Sequence, residues 1–444
     1  VRTFLVKTGG EVMRRASLNT KDTKTTKSFL IFKMIVFAAF VFFGFQDTFR
    51  AQQEAPYSYA IVGARIVPVS GATIDNGTLV FSGGVISAVG STVSVPAGAI
   101  TVAGKGLTVY PGLIDMGSSA GFDAPAIPRA DNPQTTEDIE RVKRDTLLRA
   151  HLRAADHMNP AAPALSKAAE AGITAILATP GSDGIRGQSA LVLTSIGNDL
   201  PQIGALADDR RGGLVVRTPV ALHVGTADSP AGGNAYPNSL MGIIAFNRQA
   251  FLDAQWYQQA KNRAHSAALE AMQPALAGRL PVAFRASTSR DVRRALDMAR
   301  AFKLDPIITA ARQVDDVTAE LKAANARVIY SLNFPTRGPS LAPDADEALS
   351  VLRERANAPK GPAVLDKAGV LFAFESSGLS DPKDFLKNAQ KVVAGGLSKD
   401  AALKALTLNA ATLAGAGDRL GSLERGKIAN VIVTEGDLFD EKTA

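Results

Sequence analysis

Between residues 173 and 378 short apolar runs alternate with amphipathic stretches, and this alternation restricts the fold more than any other feature. The runs "ITAILATP" (173–180), "LPVAFRA" (280–286), "DPIITAA" (305–311), "ARVIYSL" (326–332) and "GVLFAFESSG" (369–378) read as buried strands. Between them, "SRDVRRALDMARAFKL" (289–304) sets Val292, Ala295, Leu296, Ala299 and Phe302 at helical spacing, with Ser289 placed as the N-cap. Strands alternating with helices over about 300 residues predict a parallel sheet, closed as a (β/α)8 barrel or open and doubly wound. No Gly-x-Gly-x-x-Gly follows the first strand of the body, which counts against a dinucleotide fold.

The flanks have a different texture. Residues 57–112 are short β-branched runs broken by Gly, Asn and Pro, and residues 421–439 return to β character. The simplest use of the tail strand is to add it back to the N-terminal β module. The expected organisation is therefore a discontinuous β-sandwich built from 57–112 and 416–444, enclosing an α/β barrel over 113–415.

Charge excludes one class of partner. The chain carries a formal +7, but residues 1–50 alone hold nine basic against three acidic groups. The remaining 394 residues, with 40 basic and 39 acidic groups, are near neutral and show no basic stripe with interleaved aromatics. Nucleic acid is therefore not an expected partner. With no cysteine, disulfides, thiolate metal sites and a Cys nucleophile are excluded. Histidine occurs only at 151, 157, 223 and 265.

The basic stretch 13–33 precedes "MIVFAAFVFFGF" (34–45), an uncharged apolar run shorter than the about 20 residues that span a bilayer. A positive region before a short apolar region is the pattern of a secretory leader. Residues 1–52 are accordingly expected to be a signal peptide or membrane tether, with the body periplasmic or secreted and touching membrane only through this segment.

The order of β module, α/β body and β tail, with four particular stretches, resembles the amidohydrolase superfamily of metal-dependent hydrolases. "VYPGLIDMG" (109–117) is similar to that family's Pro-Gly-Leu-Ile-Asp-x-His strand. "AGITAILATPGSDGIRGQSALV" (171–192) resembles the second-strand region of periplasmic imidazolonepropionase-like members. "PVAFRASTSRDVRRALDMARAFKL" (281–304) is similar to the fifth strand and helix. "ALKALTLNAATLAGAGDRLGSLERGKIANVIV" (402–433) is similar to the closing segment. The resemblance implies a (β/α)8 barrel with a composite β-sandwich and, by family, hydrolysis of non-peptide C–N bonds. It also implies zinc or another divalent metal, held by His-x-His after strand one, His after strands five and six, and Asp after strand eight. Such a metal polarises the scissile carbonyl and lowers the pKa of bound water toward about 7.

Residue by residue, the sequence departs from that ligand set. The His-x-His positions are Gly117 and Ser119, and the strand-five His is Arg285, a permanent cation. The strand-six position falls at Ala310 or Ala311. The strand-eight Asp falls in "FESSG", at Glu375, Ser376 or Ser377. Only Asp115 persists, and where the family often bridges two metals with a carboxylated Lys or a Glu the best local match, "VALHVG", offers His223. The resemblance therefore implies a degenerate site with no cofactor in this copy.

Each candidate carries two readings. Asp115 is a structural acceptor at a strand end or a catalytic group. Glu375 is an ion-pair partner or a general base. Arg285 pairs with a neighbouring carboxylate such as Glu375, or binds a ligand. His223 is a core histidine or a ligand-binding residue. His151 and His157, six apart on a predicted helix, point about 240° apart and cannot share a metal. His265 falls on a predicted surface helix, and the doublets Asp208-Asp209 and Asp315-Asp316 read as solvated charges. Ser118 and Ser119 lack a nucleophile elbow. Three functions follow as expectations. One is a catalytically silent barrel, the first half of a tandem protein, docking on an active amidohydrolase domain or another copy of itself. The second is a C–N hydrolase with a reduced site at Asp115, His223 and Glu375. The third is a periplasmic module that holds an acidic ligand through Arg285.

Overall fold

The computed structural model describes residues 58–125, 135–181, 184–195, 214–225, 237, 239–338, 341–342 and 345–440. The expected leader over 1–52 and the Asp208-Asp209 doublet lie outside the described residues. Among the described residues no helix is long and apolar enough to cross a membrane.

Five short strands follow one another at the start: β1 (Ser58–Ile66), β2 (Ile74–Ser82), β3 (Val85–Gly90), β4 (Ile100–Ala103) and β5 (Leu107–Pro111). β1 pairs antiparallel with β2, and β2 with β3. The other edge of β1 is shared, with β4 beside residues 59–62 and β5 beside 65–66, both parallel. Gly63, at φ +77, sits where the β1–β2 register slips, a backbone geometry that side chains resist.

The body then supplies β6 (Leu113–Ser118), β7 (Ile173–Ala178), β8 (Ile185–Gln188), β9 (Ala190–Leu193), β10 (Val215–Arg217), β11 (Leu222–Gly225), β12 (Val282–Arg285), β13 (Pro306–Ala311), β14 (Arg327–Ser331) and β15 (Phe372–Glu375), before the tail strand β16 (Val431–Glu435). β16 pairs antiparallel with β5, from Val431 opposite Pro111 to Glu435 opposite Leu107, so the tail rejoins the first sheet. Its Val433 shares a small core with Ile61, Ala64, Ile66, Leu79, Ile86, Val109 and Leu423.

Helices fill the intervals. α1 (Thr136–Leu147) and α2 (Pro163–Glu170) follow β6, and α3 (Leu240–Gln259) and α4 (Ala267–Leu276) follow β11. α5 (Ser289–Phe302) follows β12, and α6 (Thr318–Ala323) follows β13. α7 (Leu349–Asn357) and α8 (Gly361–Ala368) follow β14, and α9 (Lys383–Ala394), α10 (Lys399–Leu406) and α11 (Leu408–Leu413) follow β15. α5 buries the five residues its spacing predicts. Its cap is Thr288 rather than Ser289: the Thr288 hydroxyl accepts from the Asp291 N–H and donates to the Asp291 carboxylate at 2.6 Å.

The body strands form two sheets, β10-β9-β7-β6 and β15-β14-β13-β12-β11-β8. β11 through β15 are parallel, and so are β6 and β7. The parallel sheet expected from the sequence is interrupted by β8 and β9, which run antiparallel to β11 and β7 respectively. Separated by Ser189 alone, they make one extended segment that pairs into both sheets. Strands covered on both faces lose the alternation that would reveal direction, which is why β13 is buried along its whole length.

An inner apolar cluster draws alternate residues from both sheets: Ile114 and Met116 of β6, Ala175 and Leu177 of β7, Leu191 and Leu193 of β9, and Ala283, Ile307, Ile329 and Ala373 of β12 to β15. An outer cluster packs the opposite strand faces, such as Phe284, Ile308 and Phe374, against helix residues such as Val292, Phe302 and Phe385.

The tail strand is expected to be structurally essential. Val433→Asp, which would bury an unpaired carboxylate between β5 and the first-sheet core, should cost about 3 kcal/mol or more in chemical denaturation. A loss below about 0.5 kcal/mol would mean β16 does not stay in that sheet.

Candidate functional site

Parallel strands deliver the side chains at their C-terminal ends to one rim, and the polar residues of this body collect there. Asp115, on β6, is buried to 1 % exposure. Its Oδ1 accepts from the Gly117 N–H at 3.1 Å and the Ser376 N–H at 2.8 Å, and its Oδ2 accepts from the Ser376 hydroxyl at 2.5 Å. Ser376 follows directly after β15, so this carboxylate ties the edge strand of one sheet to the edge strand of the other. Burial pushes its carboxyl up to about 6, although all three donors pull it down.

Glu375, the last residue of β15, is 4 % exposed. Burial pushes its carboxyl up to about 8, and the Asp115 charge adds to the rise. Arg285, the Ala310 N–H and Arg186 pull it back. The Ala310 N–H reaches the carboxylate from a left-handed residue at φ +58 near the end of β13, a conformation that costs an alanine of order 1–3 kcal/mol. Glu375 Oε1 is buried with no hydrogen-bond partner among the described residues.

Arg285 ends β12, half-buried, beside Gly225 of β11 and Thr309 of β13. His223 lies two residues before Gly225, opposite Ala283, and is 5 % exposed. Burial, then the positive charge of Arg186, lowers its imidazole to about 3, so it is neutral at physiological pH. Its Nε2 has no hydrogen-bond partner among the described residues.

Gly117 explains itself by space. A Cβ there would stand 2.6 Å from Glu375 Oε2 and 2.9 Å from Glu375 Cβ. The Glu375 side chain thus occupies the room that a side chain at 117 would need. Ser119 is exposed, and its carbonyl accepts from the Phe122 N–H in the turn that leaves the strand. Ala310 and Ala311 are buried and contribute no ligating atom from their side chains.

The structure therefore brings Asp115, Gly117, Arg285 and Glu375 together, with His223 one layer deeper, and leaves Ser119 outside. Arg186 was not among the sequence candidates. It stands on β8, whose antiparallel course brings the start of that strand to the rim. A Cβ on Gly225 would lie 3.0 Å from Arg186 Nη2, so the glycine leaves room for the guanidinium. The signal available was an arginine between Gly184 and Gly187 inside an otherwise apolar stretch.

The other histidines are elsewhere. His151 is an exposed turn residue and His157 ends a single 3-10 turn, Ala154–His157, so they do not share the predicted helix. His265 is exposed and precedes α4 instead of lying within a helix. Asp316 pairs with Arg293. A hollow of about 700 Å³ at the start of α5 is lined by Arg290, Arg293, Arg294 and Asp316. Arg293 is taken up by Asp316 and Glu320, and Arg294 by Asp291. Among the described residues no group of three or more His, Cys, Asp or Glu side chains converges in a way that could hold a metal ion.

No family model matches the chain, and no curated protein matches it. Solved structures do. An amidohydrolase from Thermotoga maritima MSB8 superposes with a TM-score of 0.68 at 22 % identity, covering 87 % of this chain and 96 % of that one. A putative prolidase from Bifidobacterium longum gives 0.51 at 18 % identity, over 87 % and 91 %. A Xaa-Pro dipeptidase with bound methionine in its active site gives 0.50 at 16 % identity, over 86 % and 95 %. These likenesses define a class of architecture: the chain has the mixed α/β fold of amidohydrolase- and prolidase-like proteins.

The buried groups set a pH dependence. Between 4.5 and about 8 folded Glu375 keeps a proton that the unfolded chain has released, so stability falls as pH rises through that window. Asp115 acts in the same sense between 3.8 and about 6. His223 opposes them: between about 3 and 6.5 the unfolded chain holds the extra proton, and stability rises with pH. Above pH 6.5 Glu375 alone of the three remains. Urea denaturation should show stability declining from pH 6.5 to 8, and Glu375→Gln should flatten that limb. An unchanged slope in the Gln variant would remove Glu375 as its source.

Proposed function

We propose that this chain is a metal-free member of the amidohydrolase superfamily, a closed (β/α)8-type barrel that has kept the scaffold and lost C–N bond hydrolysis. The closed ring would run β6, β7, the joined β8–β9, β11, β12, β13, β14 and β15. The shared inner cluster, the β8–β9 segment pairing into both sheets and the Asp115–Ser376 bonds between β6 and β15 support it. The first sheet, with the tail strand returned to β5, would be the composite β-sandwich of such proteins.

The observation that carries the reading is the exchange of space at Gly117. Where the resemblance sets a metal-binding histidine, this chain has no side chain, and Glu375 fills the volume. The donor set does not fit a divalent cation either. Two guanidiniums, Arg186 and Arg285, act electrostatically on the one carboxylate that has a spare oxygen, and they repel a metal. Asp115 has given both oxygens to backbone and hydroxyl donors. With burial pushing its carboxyl up to about 8, Glu375 is mostly protonated at neutral pH, which lowers the fraction able to act as a general base. The basic residues before the apolar run at 34–45 support placing this silent barrel outside the cytoplasm.

Metal analysis of purified protein, with turnover of amides, cyclic amides and dipeptides under added zinc or manganese, tests the reading. Substoichiometric metal and no turnover are expected. Stoichiometric metal, or turnover abolished by Asp115→Asn, would overturn it. The crowding has its own test. Gly117→Ala should cost about 1–3 kcal/mol of stability by overpacking. In a Glu375→Ala background most of that cost should vanish, a coupling of about 1 kcal/mol or more. Additive effects would show that Glu375 does not hold that space.

A further inference from the structure

We propose that the outward face of α3 is a docking surface for an anionic lipid bilayer, on which the helix lies flat with Met241, Leu252 and Trp256 among the headgroups. The inference goes beyond the metal-free reading and does not depend on it. It adds a second membrane contact to the one expected of residues 1–52.

Helix α3 has two apolar faces. Ile243, Asn247, Ala250, Phe251, Ala254 and Tyr257 make up its buried side. On the other side Met241, Ala245, Arg248, Leu252, Trp256 and Gln259, spaced by three or four residues, form one exposed stripe along a helix about 30 Å long. Met241 and Trp256, at 80 % and 60 % exposure, are the most exposed large apolar side chains among the described residues, and Leu252 stands between them at 44 %. Trp256 is the only tryptophan of the chain. An indole, with an apolar body and one N–H donor, suits the boundary between headgroups and acyl chains.

Charge selects the occupant. Residues 240–266, which are α3 and the loop to α4, carry Arg248, Lys261 and Arg263 against Asp253 alone. All three cations are exposed, and none pairs with a carboxylate among the described residues. Arg248 lies 5.7 Å from the Phe302 ring centre and Arg263 4.1 Å from that of Tyr257. Asp253 is half-buried and accepts from Gln249 Nε2 at 2.7 Å, off the stripe, which itself bears no carboxylate. On the adjoining helices, Glu270 of α4 is balanced in charge by Lys303 after α5, and Arg300 pairs with Asp297. An apolar stripe flanked by cations complements anionic headgroups, and each cation adds to the attraction. A second copy of the chain fits less well. An antiparallel pair with Met241 opposite Trp256 has its two-fold axis between residues 248 and 249, and a parallel pair sets each residue against itself. Either way Arg248 meets Arg248, a repulsion that lipid phosphates turn into attraction.

Because Trp256 is the only tryptophan, its fluorescence reports on this face. The full chain is mixed with vesicles of phosphatidylcholine alone or of phosphatidylcholine with phosphatidylglycerol. Trp256 emission, its quenching by brominated lipid, and co-sedimentation are followed. The phosphatidylglycerol vesicles should shift the emission to the blue and expose Trp256 to the quencher. Phosphatidylcholine alone should bind about tenfold more weakly, as should the double variant Lys261→Gln with Arg263→Gln on the anionic vesicles. Met241→Gln and Leu252→Gln should each weaken binding about fivefold. Leu349→Gln, an exposed leucine of α7, should leave it unchanged. These side chains are exposed, so the variants should fold. Co-sedimentation with unmoved Trp256 emission would assign binding to another segment and overturn the inference. So would equal responses to the two lipids, or a response unchanged in the Met241 and Leu252 variants. A blue shift that grows with protein concentration without lipid would put a second copy on this face instead. Blue, quencher-shielded emission in dilute lipid-free protein would show the chain's own residues covering it, again against the proposal. None of these outcomes bears on metal content, so the preceding reading stands or falls separately.

Discussion

The three hydrogen bonds to Asp115 hold the rim together. One buried carboxylate takes the Gly117 N–H from its own strand and both the N–H and the hydroxyl of Ser376, 261 residues further along the chain. Breaking them would leave an uncompensated carboxylate in a place water does not reach, the kind of loss that costs several kcal/mol. The bonds therefore fix the junction of β6 and β15. The relative height of those strands in turn decides that Gly117 and Glu375 face each other. Everything distinctive about the rim follows from that juxtaposition.

Glu375 is costly to bury, and the surroundings show how the cost is kept tolerable. Its pKa rises, so the group is largely neutral where a carboxylate would be least stable. The Ala310 backbone, strained into a left-handed conformation, aims an N–H at it, and two cations lower the remaining electrostatic penalty. A residue retained only by chance would not gather a strained donor and two guanidiniums around it. The charge that eases this burial comes from β8 and β12, so Glu375 on β15 is tied electrostatically to two other strands.

Much of the fold was legible because helix and strand periods are local properties. The face of α5 could be read directly, and the error of one residue at its cap arose because Thr288 and Ser289 are chemically equivalent candidates. Strand direction was not legible. A strand buried on both faces carries no alternation, and nothing in "IRGQSALV" says that it runs against its neighbours. That omission hid Arg186, since only an antiparallel β8 brings its early residues to the rim. Asp115, Gly117, Arg285, His223 and Glu375 could be marked from sequence because they sit in recognisable strand ends. The bonds that Ser376 and Ala310 make to them could not be, because tertiary geometry sets those contacts, and Arg186 was not marked at all.

The rim also separates two kinds of constraint that a sequence comparison merges. Asp115 satisfies the backbone of two strands, and replacing it would disturb the scaffold whatever ligand is present. Gly117 joins that bonding through its N–H, but its lack of a side chain answers to a different demand, the space beside it. Glu375 occupies the volume beside Gly117, and the charges of Arg285 and Arg186 pull its carboxyl back from the rise that burial causes. Asp115 thus answers to the hydrogen bonding of two strands and Gly117 to the volume of Glu375, so two different physical constraints act on neighbouring residues of one strand.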